Sequence, residues 1–340
     1  MNVVVDSFQA GHVILEVPTR VLRSISTVPK AVSRKLPREI SVNGLLAADI
    51  CLDASPTLAK WRAVCPSSAD LESSMPILWP PELQALLPPP AAKILAKQQA
   101  KSASDWALAS ASFPSLERRA YLEAWLLVNS RTFYFVTPRT EHFQRDDRMV
   151  LQPVGDLFNH ASWGCAVSFD AASFTFSTDR EYARGDEVCI SYGRHSNDFL
   201  LAEYGFIMAD NAWDEVCLDD AILPRLKPAQ RRLLEDAGYL GGYMLDSETV
   251  CHRTQVALRA ACLPVGEWRR FVAGLEDGDT SQAKVDTLLG ELLLKYDEKL
   301  RGILRDVVAL KVGEEAQRGT VRRRWEQIRA LVARLRPPGE

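Results

Sequence analysis

"DLFNHASWGCAVSFD", residues 156–170, begins with an apolar approach to an Asn-His pair and ends in a run that alternates apolar and polar residues. The same alternation returns in "SFTFSTD" (173–179), so the two runs indicate short antiparallel strands joined by the turn "DAAS". A further strand is predicted in "GDEVCISYG" (185–193), behind the turn "ARGD". The β-rich part of the fold is therefore expected in the middle of the chain.

Helical spacing dominates on both sides of this middle. From about 20 to 128 the pattern turns helical, and towards the C-terminal end apolar residues recur at intervals of three and four, most clearly over 281–310. Ahead of both, "NVVV" (2–5) and "VILEV" (13–17) are β-branched runs that predict a hairpin. This order of elements predicts an α+β fold.

The composition excludes several classes of protein. The chain has 340 residues, enough for two domains, and 41 Lys plus Arg against 44 Asp plus Glu argue against a protein that mainly coats nucleic acid. No run of about 18 apolar residues is present, so no membrane helix is expected. Seven scattered cysteines without a CxxC pair indicate a reducing compartment, cytoplasmic or nuclear. The ordinary composition and small net charge favour a monomer.

The Asn159–His160 pair is open to several interpretations by itself. A metal ligand, a general base, a cofactor contact and a hydrogen-bonded core pair all fit, and an isolated histidine is most often structural. Metal binding is disfavoured because no second histidine, cysteine or carboxylate lies at ligand spacing from His160. A serine hydrolase is disfavoured because no G-x-S-x-G turn occurs.

Four short stretches, taken together and in order, carry more information than any one of them. They are "SRTF" (130–133), "DLFNH" (156–160), "GDEVCISYG" (185–193) and "SNDFLLAEYGF" (196–206). This series resembles the SET-domain protein lysine methyltransferases, in the branch of the Rubisco large-subunit lysine methyltransferase. The resemblance spans nearly the whole chain.

The resemblance implies an organisation for the chain. Residues 1–207 would form a β-rich SET domain with a helical insert at about 20–128. Residues 208–340 would form an all-helical substrate-binding domain. The implied activity is transfer of a methyl group from S-adenosylmethionine to a lysine side chain of a non-histone protein, such as a ribosomal or other abundant cytosolic protein. From the charge balance, the apolar runs and the ligand spacing given above, we expect no metal, no direct binding of nucleic acid and no membrane association.

The resemblance also assigns roles to individual residues. Tyr192 would be the catalytic tyrosine and would also contact the cofactor. Asn159 would reach the amino-acid end of S-adenosylmethionine, and His160 would bond around the adenine through its backbone. Tyr204 would form an aromatic wall of the cofactor pocket.

Two further positions match the part of the family's site where the cofactor and the lysine meet. Arg131 would contact both cofactor and substrate, as a cation suited to a carboxylate. Asp156 would lie near the incoming lysine, which a carboxylate attracts. This chemistry asks mainly for alignment and electrostatics, because the lysine, with an ordinary pKa of about 10.4, has only to lose its proton before it attacks the methyl group.

One departure from the family pattern keeps a second function open. Relatives carry a Gly-x-Gly loop before the first strand, and the sequence shows no such motif ahead of "VILEV" (13–17). The alternative hypothesis is therefore a catalytically inactive SET-fold interaction protein that lacks this cofactor loop.

Overall fold

The computed structural model describes residues 6–138 and 140–335, so the predicted strand at 2–5 lies outside the described residues. The strands are β1 Val13–Pro18, β2 Thr132–Tyr134, β3 Met149–Leu151, β4 Asn159–Phe169, β5 Ser173–Ser177, β6 Cys189–Ile190, β7 Val216–Cys217 and β8 Met244–Leu245. The helices are α1 Lys30–Ser33, α2 Val42–Leu52, α3 Pro56–Arg62, α4 Ser68–Ser74, α5 Pro81–Gln84, α6 Pro89–Ser112, α7 Arg118–Arg131, α8 Asn197–Tyr204, α9 Asp219–Ile222, α10 Pro228–Asp236, α11 His252–Cys262, α12 Val265–Val272, α13 Asp279–Ala309 and α14 Glu315–Arg334.

The chain divides into two compact units. The first contains the described residues up to Leu78, then Ile94–Arg194 and Ala202–Gly205. The second contains Trp79–Lys93, His195–Leu201 and the described residues from Phe206 on. The domain boundary at residue 207 stays a prediction.

A four-stranded sheet in the order β1-β5-β4-β6 forms the β part of the first unit. Strands β4 and β5 pair antiparallel around the predicted turn, with Phe169 opposite Phe174. Strand β1 joins the far side of β5, and β6 lies parallel to β4. Phe174 and Phe176 point into the core of this sheet and are fully buried. The predicted strand pair is confirmed, since Ala166–Phe169 pairs antiparallel with Phe174–Ser177.

Strand β4 pairs with β6 at two separate points, and the first of these points includes the Asn-His pair. His160 and Cys165 both lie opposite Ile190, with an irregular stretch between them. Gly164 sits in that stretch, where a Cβ would come within 2.5 Å of the carbonyl oxygen of Cys189. Only glycine lets the two backbones approach this closely.

We expect Gly164→Ala to lower the free energy of unfolding by about 1–3 kcal/mol, because the added methyl group has to push β6 away. The matched control is Gly266→Ala in helix α12, where a Cβ meets nothing within 4 Å. There alanine raises stability by up to about 1 kcal/mol through helix propensity. Urea denaturation followed by circular dichroism measures both, and equal effects of the two substitutions would contradict the crowding at Gly164.

The helical part of the first unit has a core of its own, centred on α2 and α7. Every residue of α2 from Val42 to Ile50 is buried, so this helix is enclosed on all sides rather than amphipathic. Tyr121 of α7 donates a hydrogen bond to the carbonyl of Gly44 at 3.1 Å. Trp125 donates to Asp105 of α6 at 2.8 Å. These buried bonds tie the three helices together.

The second unit is helical, as predicted, with the small antiparallel pair β7–β8 added. Helices α13 and α14 pack against each other, and α13 covers the predicted helix at 281–310. The α+β fold class is confirmed.

A buried ion cluster lies inside this unit. Arg324 is fully buried and donates to Asp198 at 2.7 Å and to Asp214 at 2.6 Å. It also donates to the carbonyl of Glu215 at 3.2 Å. Burial lowers the pKa of Arg324, but the two carboxylates outweigh it and raise the pKa above its usual value. Arg324 is therefore charged and held by α8 and by the loop before β7.

Candidate functional site

Tyr192 is fixed at both ends by the segment that contains the Asn-His pair. Its hydroxyl donates a hydrogen bond to the carbonyl oxygen of Phe158 at 2.6 Å. Its backbone N–H donates to Nδ1 of His160 at 3.0 Å, and the two rings stack with centroids 5.0 Å apart. The imidazole of His160 thus holds the backbone and the ring of Tyr192, and the backbone of Phe158 holds its hydroxyl.

A second tyrosine extends this aromatic surface. The ring of Tyr204, at the end of α8, lies 5.0 Å from the ring of Tyr192 at an interplanar angle of 39°. Burial raises the pKa of Tyr192 to about 12 and raises the pKa of Tyr204 as well. Both phenols are therefore neutral at physiological pH, and Tyr192 keeps the proton that it donates to Phe158.

Asp156 is a buried carboxylate with two donors and one open oxygen. Trp61 donates its indole N–H to Oδ2 of Asp156 at 2.8 Å. Nη1 of Arg131 lies 3.5 Å from the same oxygen and donates to the backbone carbonyl of Asp156 at 2.6 Å. Burial raises the pKa of Asp156, although Arg131 and Trp61 oppose the increase. Among the described residues, neither Oδ1 of Asp156 nor Nε of Arg131 has a hydrogen-bond partner, although both are buried.

The turn that leads to Asp156 is strained. Val154 has a φ of 84°, a region that a β-branched residue rarely adopts. At the next position, Gly155, a Cβ would come within 2.7 Å of the ring of Phe176 and 2.8 Å of Gln152. Strain of this kind persists where the surrounding structure over-determines the backbone, and it concentrates at functional sites. The packing around Gly155 thus holds the turn that orients Asp156.

Asn159 lies at the edge of this arrangement. It begins β4 opposite Cys189, and its side-chain N–H donates to Glu187 at 2.6 Å in an exposed position. The predicted residues therefore form two groups, and the members of each group contact one another. One group is the three rings at positions 160, 192 and 204, and the other is the pair Arg131–Asp156. Among the described residues, the Asn159 side chain forms a hydrogen bond with Glu187 and with neither of these groups.

Three contacts of the site were not foreseen from the sequence. The Phe158 carbonyl and Glu187 lie within stretches already singled out, so neighbouring positions in those stretches pointed to them. Trp61 lies 95 residues before Asp156, in helix α3, and nothing in its local sequence pointed to the site.

The "SNDFLLAEYGF" stretch serves two purposes. Tyr204 at its end joins the rings of the site, whereas Asp198 belongs to the Arg324 cluster of the second unit. Asn197 donates from its side chain to the carbonyl of Met208 at 3.0 Å and to Gln327 at 3.0 Å. The beginning of this stretch is thus structural.

Within residues 6–138 and 140–335, no group of three His, Cys, Asp or Glu side chains could hold a metal ion. No helix in the same residues is both long and apolar enough to cross a membrane.

Comparison with known proteins shows what the fold resembles. The structure matches that of the SET domain of LSMT bound to methyllysine and AdoHcy with a TM-score of 0.61 and 18% identity, over 98% of this chain and 83% of that one. The structure of Rubisco LSMT bound to AdoMet matches with a TM-score of 0.60, also at 18% identity, over 98% and 82% of the two chains. Over 96% of its length the chain is 26% identical to mouse SET domain-containing protein 4. Over nearly its whole length the chain is therefore similar to SET-domain proteins.

The family resemblance inferred from the four stretches is confirmed, and further matches refine it. The model of the ribosomal lysine N-methyltransferase 2 C-terminal domain matches residues 214–335 of this chain. Ribosomal lysine N-methyltransferase set11 of Schizosaccharomyces pombe is 28% identical over 56% of this chain. The alignments cover 82% of the mouse protein and 54% of the fission-yeast protein.

Proposed function

We propose that this protein is a SET-domain protein-lysine N-methyltransferase that uses S-adenosylmethionine. The observation that carries the proposal is the clamp on Tyr192, whose hydroxyl is bonded to the Phe158 carbonyl and whose backbone is bonded to His160. Methyl transfer to an amine needs oxygen atoms held at fixed positions more than it needs a strong base. A neutral, immobilised phenol beside a fixed carbonyl meets that need.

The residues of the site fit the cofactor. S-Adenosylmethionine supplies a methyl group on a positively charged sulfur, with a carboxylate at its amino-acid end. The facing rings of Tyr192 and Tyr204 present aromatic surface to a cation, and Nε of Arg131 is a buried donor that still lacks an acceptor. Asn159 and His160 complete the proposed cofactor contacts, and His160 additionally positions Tyr192.

Asp156 and Arg131 form the proposed lysine-binding pair. The open Oδ1 of Asp156 accepts a hydrogen bond from the incoming amine, and Trp61 with Arg131 keeps the carboxylate in place. The lysine loses its proton to water, and its nitrogen then forms the new N–C bond as the C–S bond of the sulfonium breaks. Tyr192, with its proton retained, orients the methyl group and takes no proton in this step.

A ribosomal protein is the substrate class that we propose. The support is the match of residues 214–335 to the C-terminal domain model of a ribosomal lysine methyltransferase, together with the fission-yeast relative of that name. We assign substrate binding to residues 208–340 and methyl transfer to residues 1–207. We further propose that the protein acts as a monomer in the cytosol, without binding nucleic acid directly.

Incubation of the purified chain with tritiated S-adenosylmethionine and separated ribosomal proteins tests the proposal. The expected result is label in one or a few proteins, recovered as N-methyllysine after acid hydrolysis. Titration calorimetry with the cofactor provides a separate measurement of binding. Cofactor binding without label in any protein would overturn the ribosomal assignment. Neither binding nor label would favour an inactive interaction protein.

The pH dependence of the reaction follows from which group loses its proton first. The substrate lysine must be neutral, so kcat/KM rises about tenfold per pH unit from pH 7 towards the lysine pKa of about 10.4. Tyr192 must be protonated, but its pKa of about 12 delays its ionisation beyond that point. The profile is expected to rise without a falling limb up to pH 10, as measured with the folded fraction checked at each pH. A falling limb below pH 10 in fully folded protein would contradict the raised pKa of Tyr192.

A further inference from the structure

A cationic groove runs along one end of the last two helices of the second unit. It has a volume of about 710 Å³ and lies between the C-terminal turn of α13 and the first turns of α14. It is lined by Val307, Val308, Leu310, Lys311, Glu315, Ala316, Arg318, Gly319, Arg322 and Arg323. This groove contains none of the residues assigned to methyl transfer.

The charge of the groove is strongly one-sided. Four cations face one carboxylate, that of Glu315, although the whole chain carries a net charge of −3. Arg318 is bonded to the carbonyl of Gly313, and Arg323 donates to the hydroxyl of Thr320 at 3.0 Å. Among the described residues, Arg322 alone of the four cations forms an ion pair, with Glu326 at 3.5 Å. Both members of that pair are half exposed, so it neutralises little of the charge.

The groove also has an apolar side. Val308 is 62% exposed, and Leu310 is half-buried beside it. A small anion would neutralise the cations, but it would leave the apolar surface of Val308 and Leu310 exposed to water. Single-stranded nucleic acid binds through aromatic side chains on which its bases stack, and the lining of the groove contains no aromatic residue. The cations and the apolar side together match a protein segment in which acidic residues alternate with aliphatic ones.

We propose that this groove, the 307–323 groove, binds an acidic protein segment that carries leucine or valine side chains. Its carboxylates pair with Lys311, Arg322 and Arg323, and its aliphatic side chains cover Val308 and Leu310. The groove is formed by α13, α14 and the loop between them, within the residues 208–340 to which we assign substrate binding, but the binding proposed for it does not depend on methyl transfer.

The test uses the full chain and a fluorescein-labelled nonapeptide with three repeats of Glu-Glu-Leu. Fluorescence anisotropy measures its Kd for the chain and for Arg322→Glu/Arg323→Glu. Both arginines are exposed, so the double variant is expected to fold. The control is Arg232→Glu/Lys284→Glu, which makes the same change of charge at exposed positions outside the groove.

The expected result is that Kd rises about tenfold or more in the groove variant and stays within about twofold of the original value in the control. Replacing leucine by serine in the peptide weakens binding, and so does raising the salt from about 0.05 M to about 0.3 M. Equal Kd values for the two double variants would overturn the proposal. It would also be overturned if the serine peptide or an oligouridylate bound as tightly as the Glu-Glu-Leu peptide, because the groove would then attract any polyanion.

Discussion

Replacing Tyr192 by phenylalanine is expected to lower kcat about 100-fold or more and to leave the fold intact. The ring keeps its stacking on His160 and its tilted contact with Tyr204, so the aromatic surface survives. Only the hydroxyl that is bonded to the Phe158 carbonyl is lost. Removal of one preorganised polar group at a reacting centre typically costs two to three orders of magnitude in rate. Single-turnover methyl transfer from S-adenosylmethionine measures this loss.

Measurements of cofactor binding and of stability distinguish a loss of catalysis from a loss of folded structure. The Kd for S-adenosylmethionine is expected to change little, and the free energy of unfolding is expected to fall by about 0.5–1.5 kcal/mol through the lost hydrogen bond. Tyr134→Phe is the matched control, because the Tyr134 hydroxyl contacts Arg148 at 3.0 Å and none of the site residues. If Tyr192→Phe kept more than about a third of the original kcat, alignment by the hydroxyl would not be part of the mechanism.

Arg324→Met is expected to lower the free energy of unfolding by about 3–5 kcal/mol, the largest stability effect that we predict. The substitution leaves Asp198 and Asp214 buried without their cation. A buried carboxylate without a partner either bears the cost of desolvation or takes up a proton. Urea denaturation followed by far-ultraviolet circular dichroism measures the loss.

Arg329→Met provides the comparison on the same helix. Arg329 is 40% exposed and pairs with Asp297 at 2.7 Å, and Asp297 keeps Arg301 as a second partner. This substitution is expected to cost less than about 1 kcal/mol. Adding Asp198→Asn and Asp214→Asn to the Arg324 variant is expected to restore part of the stability, since the uncompensated charges are then gone. Equal losses at positions 324 and 329 would show that the fully buried cluster is no stronger than a pair with a partly exposed arginine.

Local patterns predicted the parts of the fold that depend on neighbours in sequence. In the two strands beside the turn at 170–172, apolar and polar residues alternate over the paired positions. In the long helix α13, apolar residues recur at helical spacing for several turns. Both follow from periodicity, because the buried face recurs at the spacing of the element. By contrast, β6 is only two residues long, and its stretch was expected to form a longer strand.

The contacts that complete the site, and those of the buried ion cluster, join residues that are far apart in sequence. Trp61 reaches Asp156 across 95 residues, and Arg324 reaches Asp198 across 126. No sequence pattern links an indole in one helix with a carboxylate in a distant turn, so their contact can be seen only in the folded chain. The family resemblance supplied Arg131, Asp156 and Tyr192 as candidates, whereas the bonds that hold them came from the structure.

The position of β1 at the edge of the sheet determines when the sheet of the first unit can assemble during synthesis. Val13–Pro18 pairs with Ser173–Ser177, so its partner is translated more than 150 residues later. At about 5–20 residues per second, that interval is roughly 8–30 seconds. The helices between them have their own core and can fold first, while the N-terminal strand remains an unpaired edge. A nascent chain stalled before residue 173 would therefore have a folded insert and no site, and it would expose a strand for which other extended chains compete.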